Sequence, residues 1–196
     1  MDMLQFIKSR RSTRRFADRP VEEEKLNAVL DAACHAPSGG NNQSWHFLVI
    51  RDKVLLDELR DLTERAFAAM EYDETTYSSL VNSIRQSKKG GYVFHYDAPV
   101  LIVVANRKGY GNALVDSACA LENMMLMANA LDLGSCWINQ LHWLDEDPTI
   151  RACLEAKGLG RDETICGALS LGYADTPDGL PNRTPLPRKE IKITML

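Results

Sequence analysis

Between Pro99 and Val104 the chain reads Pro-Val-Leu-Ile-Val-Val, with no polar interruption. A strand with one wet face alternates apolar and polar residues. An unbroken run of aliphatic and β-branched side chains belongs to a strand covered on both faces. The chain must therefore supply apolar cover on two sides of a sheet. At 196 residues, with 45% hydrophobic and 26% charged content, it is long enough for one domain that buries roughly 70% of its unfolded surface.

Helical spacing supplies that cover. Leu26, Val29, Leu30 and Ala33 recur at the helical period within 22–35, after the acidic first turn Glu22-Glu23-Glu24. A longer, strongly apolar helix is predicted over 113–131. Its Met124, Met125 and Met127 are core or subunit-interface filler before they are anything more specialised. Residues 2–9 form a short helix, Asp52 caps a helix running to about Met70, and 147–156 forms another. Strands are expected at 45–50, 135–139 and 165–173, with Gly134 ending the preceding helix. Residues 71–96 are polar and irregular, which marks a lid or excursion. Pro177, Pro181, Pro185 and Pro187 confine 174–196 to an extended tail. The sum is a single α+β domain over 1–196.

Composition removes several function classes. Cys34, Cys119, Cys136, Cys153 and Cys166 are odd in number and form no CxxC pair, so they read as reduced thiols in a cytoplasmic protein. The four histidines show no metal spacing, and no metal site is expected. No apolar run reaches the roughly 18 residues a membrane span needs, and no apolar signal core is present. A net charge of -4 argues against a general nucleic-acid binder.

Against that acidic background the first nineteen residues gather Lys8, Arg10, Arg11, Arg14, Arg15 and Arg19. Such a cluster suits either an anionic partner or free solvent. Ser12 and Thr13 sit inside it, and guanidinium forks with short hydroxyls make a phosphate-binding set. A second unusual segment is Pro37-Ser38-Gly39-Gly40-Asn41-Asn42-Gln43. Its glycines permit close backbone approach, and its amides suit a heteroaromatic edge, although a polar turn reads the same way. The third is Leu133-Gly134-Ser135-Cys136-Trp137-Ile138-Asn139, where a helix stops and a short strand begins. Trp45 is assigned to core packing and His46 to a capped or surface position.

Taken in order, RRSTRRF, then APSGGNNQSWHF, then LGSCWI after an apolar helix, and NRTP near the end, resemble the nitroreductase family of FMN-dependent oxidoreductases. The resemblance covers nearly the whole chain. It implies a central, mostly antiparallel sheet flanked by helices, and a domain-swapped style of homodimer with a C-terminal extension. It further implies that Arg10, Arg11 and Ser12 grip the FMN phosphate and ribityl chain, and that Arg14 lies near the flavin N1–C2=O edge. Pro37, Ser38, Gly39, Asn41 and Gln43 would meet the ring from the other subunit. Cys136, Trp137 and Ile138 would lie beside it, and Arg183 would return to the phosphate. Arg15 and Arg19 fall outside the motif.

The chain departs from better-known members in two places. Gly39-Gly40 stands where hydroxyl residues often follow Ser38, and Pro181 stands where a Lys is common. The implied reaction is ping-pong: NADH or NADPH reduces the flavin, and a small-molecule oxidant such as a nitroaromatic, a quinone or an activated alkene then takes the electrons. No protein nucleophile is called for. The same scaffold also carries dehalogenation, azoline oxidation and flavin breakdown. A non-catalytic FMN-binding sensor is the alternative of another class, and an arginine loop on a nucleic-acid backbone is the third.

Overall fold

The computed structural model describes residues 2–196. Four strands, β1 (Trp45–Ile50), β2 (Val100–Arg107), β3 (Gly134–Ile138) and β4 (Glu163–Gly172), form one sheet in the order β1-β2-β4-β3, every pair antiparallel. Seven helices surround it: α1 (Met3–Ser9), α2 (Glu23–Cys34), α3 (Lys53–Ala69), α4 (Ser78–Lys89), α5 (Ala113–Ala130), α6 (Gln140–Trp143) and α7 (Pro148–Glu155).

The alternation of β2 explains its unbroken apolar run. Leu101, Val103 and Ala105 face a core built with α3, α6 and α7, which includes Leu59, Phe67, Leu141 and Ile150. Val100, Ile102 and Val104 face a second core built with α2 and α5, which includes Val29, Ala33, Leu121 and Met124. All six β2 side chains are at most 1% exposed. Met124 and Met125 are buried in the second core and Met127 packs on its margin, so the methionine cluster serves as core filler.

Local chemistry sets the helix starts. Asp2 accepts the Gln5 N–H at 2.8 Å, and Asp52 accepts that of Val54 at 2.9 Å. Asp147 accepts from Thr149 and Ile150 ahead of a helix that opens on Pro148.

Several boundaries differ from the sequence expectation. Residues 71–96 are not irregular throughout, because α4 occupies Ser78–Lys89. It buries Ile84 together with the small Ser83 and Ser87, so its inward face carries little apolar signal. Helix α5 stops at Ala130, and Asp132 takes the left-handed conformation (φ 62°), so Gly134 opens β3 and does not end the helix. The short α6 (Gln140–Trp143) is an additional helix directly after β3. Beyond Ala174 the tail carries no helix or strand, in keeping with its prolines.

Candidate active site

The arginine loop is fixed by the sheet edge it follows. Thr13 donates its N–H to the Ser135 carbonyl at 2.9 Å, and Ser12 forms a parallel bridge with Ser135. Further on, Ala17 donates to the Tyr173 carbonyl at 2.9 Å, and Phe16 bridges Ala174. The loop thus lies beside β3 as an added edge. Gly134 makes this approach possible: a Cβ there would fall 2.6 Å from Thr13 Oγ1.

Arg10, Arg11, Ser12 and Arg14 converge on a cavity of about 120 Å³, joined by Leu186 and Arg188 of the tail. Arg11 donates to the Thr184 carbonyl at 2.7 Å, which ties the tail to the loop. Arg10 Nη1 is buried with no protein partner. A buried donor of a charged group left unpaired is destabilising by 1–3 kcal/mol or more, so the position fits an anionic occupant. Arg15 and Arg19, outside this group, pair with Asp175 at 2.7 Å and with Glu22 at 3.0 Å.

Arg14 also lines a second, larger cleft of about 630 Å³. One wall is α4 and the residue before it, presenting Tyr77, Asn82 and Gln86. Tyr92 and Tyr96 continue that wall, and Trp137, Asn139, Gln140 and Trp143 complete the cleft. The Arg14 guanidinium stands 6.0 Å from the Tyr96 ring centroid. The Tyr92 hydroxyl is a junction: it accepts from Gln140 Nε2 at 2.8 Å and shares a hydrogen bond of 3.0 Å with Ser83. Burial pushes the Tyr92 phenol above its ordinary range, so it stays protonated at neutral pH. Trp137 donates its indole N–H to Asn139 Oδ1 at 2.6 Å, and Tyr77 meets Trp143 edge-on at 6.0 Å.

Not every expected residue joins this group. In β3 only Trp137 presents its side chain to the cleft. Cys136 and Ile138 are 3% and 1% exposed and point into the core, because a strand cannot turn three successive side chains to one face. Burial raises the Cys136 thiol, with Arg14, Ser12 and Arg10 pulling it back only in part. Arg183 is engaged elsewhere. Its guanidinium pairs with Asp132 at 2.7 Å and bonds the Asn129 carbonyl, and Arg188 takes the tail's place at the small cavity.

The strip Pro37–Gln43 stands apart from both cavities. Gly39 donates its N–H to Asp116 at 3.1 Å and accepts from the Tyr110 hydroxyl at 3.1 Å, which pins the strip to the start of α5. A Cβ at Gly39 would sit 2.2 Å from Asn112 Nδ2, so a larger residue there would have to push the Asn112 side chain aside. Ser38 Oγ accepts the Gln43 N–H at 3.0 Å, Gln43 donates to Asn41 at 2.7 Å, and Pro37 begins the turn. Asn41 and Gln43 both take positive φ. Trp45 is half-buried against the α2–α5 core, and His46 pairs with Glu163 at 2.9 Å.

Sequence reasoning missed Tyr96, Tyr92, Asn139, Gln140 and Arg188. For the two tyrosines the available signal was the recurrence of Tyr72, Tyr77, Tyr92 and Tyr96 within 71–96.

The nitroreductase family model matches residues 7–173. A putative NADH dehydrogenase/NAD(P)H nitroreductase of Archaeoglobus fulgidus is 28% identical over 88% of this chain and 85% of its own length. The nitrobenzene nitroreductase of Ectopseudomonas oleovorans is 28% identical over 86% and 85%. The crystal structure of a Bacteroides fragilis nitroreductase with bound FMN superposes with a TM-score of 0.83 at 34% identity, covering all of both chains. Among the described residues no helix is long and apolar enough to cross a membrane.

Proposed function

The chain belongs to the nitroreductase family, and on that premise we propose that it is an FMN-dependent oxidoreductase. It takes electrons from NADH or NADPH and delivers them to nitroaromatics, quinones or related electrophiles. When bound, FMN supplies the two-electron chemistry. The protein's task is to hold it, charge its surroundings and admit reactants in turn.

One observation carries this reading: Arg10, whose buried Nη1 has no protein partner, lines a small arginine-rich cavity that shares Arg14 with a large aromatic cleft. Arg10, Arg11 and Ser12 would hold the phosphate, each charge-assisted bond contributing about 1.5–3 kcal/mol. Arg188, on the same cavity, would add a further cation. Arg14 would stabilise negative charge on the ring. The aromatic and amide groups of the cleft suit flat, polar acceptors, with α4 as its lid.

The active form in this reading is a homodimer. Met3, Leu4 and Ile7 of α1, Leu114 and Val115 of α5, and Ile191, Ile193 and Met195 of the tail are all exposed, apolar side chains that a dimer interface would cover. The strip Pro37–Gln43, outside its own chain's cavities, would complete the partner's site. The five free thiols suit a reducing cytoplasm.

Anaerobic mixing of the FMN-loaded protein with NADH and with NADPH tests the proposal. Bleaching of the oxidised-flavin band, followed by its return on adding a nitroaromatic or a quinone, is the expected result. A bound flavin that neither donor bleaches would make the protein a flavin-binding sensor instead.

A further inference from the structure

The last buried side chain of α5 is polar. Asn129 is 4% exposed and follows Leu121, Met124, Met125 and Ala128 on the inner face of the helix. A buried carboxamide is costly unless both of its ends are bonded. Asn129 is bonded at both. Its Nδ2 donates to Ser9 Oγ at 2.9 Å, and its Oδ1 accepts from Arg183 Nε at 3.2 Å. Chemistry fixes this orientation from either side. The Ser9 hydroxyl gives its proton to the Phe6 carbonyl at 2.7 Å, so it accepts from Asn129, and a guanidinium can only donate.

The two arms of this bracket lead to one place. Ser9 is buried and ends α1, and Arg10 follows it in extended backbone with ψ 125°. The anchor at Ser9 therefore sets the point from which the Arg10 side chain leaves the chain. On the other arm, Arg183 is held further by Asp132 at 2.7 Å and by the Asn129 carbonyl. Thr184 comes next, and its carbonyl accepts from Arg11 at 2.7 Å. Leu186 and Arg188 then reach the small cavity lined by Arg10, Arg11, Ser12 and Arg14. Asn129 is not among the residues lining that cavity.

Resting on the FMN reading above, we propose that Asn129 is a positioning residue for the phosphate cavity. It acts without contacting the anion, by bracing the Arg10 turn and the root of the tail against each other. The cations of two segments far apart in sequence then converge on one phosphate. A buried polar network with every member bonded holds one arrangement where apolar packing alone tolerates several.

Fluorescence titration of the apoprotein with FMN and with riboflavin, in the unaltered chain and in two variants whose fold is checked by circular dichroism, tests the proposal. Asn129→Ala suits a helix and removes both arms. The preference for FMN over riboflavin should fall by about tenfold in it, as though one charge-assisted bond were lost, while riboflavin affinity stays within about twofold. Ser9→Ala removes one arm, and the preference should fall by about threefold. Should Asn129→Ala fail to fold, Ser9→Ala carries the same test. A preference unchanged in either folded variant, or FMN and riboflavin weakened equally, would overturn the proposal. Equal binding of the two ligands by the unaltered chain would instead remove the phosphate reading on which it stands.

Discussion

The Thr13 N–H meets the Ser135 carbonyl at 2.9 Å, and this bond aligns the arginine loop with the edge of the sheet. It requires Gly134 to lack a side chain, because a Cβ would lie 2.6 Å from Thr13 Oγ1. The arginine loop and the edge strand β3 are therefore coupled through one close contact.

Gly134→Ala should lower stability by about 1–3 kcal/mol through overpacking. That corresponds to a Tm loss of about 2–4 °C per kcal/mol in a domain of this size. FMN affinity should fall with it, since the loop must move outward. Thermal melts with and without FMN check this; a variant with unchanged Tm and unchanged FMN binding would show that the contact does not constrain the loop.

Arg14 serves both cavities and has no ion-pair partner among the described residues. Arg14→Gln should retain FMN but disfavour its reduced form. The two-electron midpoint potential is expected to drop by about 30 mV for each 1.4 kcal/mol of lost stabilisation. Spectroelectrochemistry reads this directly, and an unchanged potential would place Arg14 away from the ring.

Tyr92 joins α4 to α6 through Ser83 and Gln140. Removing its hydroxyl in Tyr92→Phe should destabilise the fold by about 1–3 kcal/mol, because buried polar partners are left unsatisfied. Amide exchange should quicken within Ser78–Lys89 while FMN affinity holds. Uniformly slow exchange in α4 would mean that the junction does not latch the helix.

Acid sensitivity follows from Glu22. The Tyr173 hydroxyl donates to its carboxylate at 2.6 Å and is the chief cause of a pKa lowered from 4.5 to about 2, with Arg19 assisting. A depressed carboxylate pKa stabilises the fold above the unfolded value and loses that stabilisation as pH falls through the folded one. The window is therefore about pH 4.5 down to 2. Glu22 and Arg19 are both exposed, so salt should shrink the share of the effect that comes from their ion pair. Melts of the wild type and Tyr173→Phe across this window should converge at the acid end; a constant difference would remove Glu22 as the cause.

Much of this architecture was legible in the sequence where a single pattern dominated. The apolar run at Val100–Val104 gave the doubly covered strand, and Arg10, Arg11, Ser12 and Arg14 indeed share one cavity. Helix α4 was not legible, because it buries serines and its outer face is polar. Strand alternation turns the Cys136 and Ile138 side chains inward on either side of Trp137, a direction that the motif alone does not encode. Arg183 found acidic and carbonyl partners on α5 and the turn after it, contacts distant in sequence that no local motif encodes.

Phosphate binding by the Arg10 loop is read from a comparison of FMN with riboflavin. The two ligands share the ring and differ only in that group. Fluorescence titration of the apoprotein should show FMN bound at least about a hundredfold more tightly, the equivalent of one or two charge-assisted bonds. In Arg10→Ala that preference should shrink by roughly tenfold or more. Equal affinity for the two ligands, or a preference untouched by the substitution, would contradict the account.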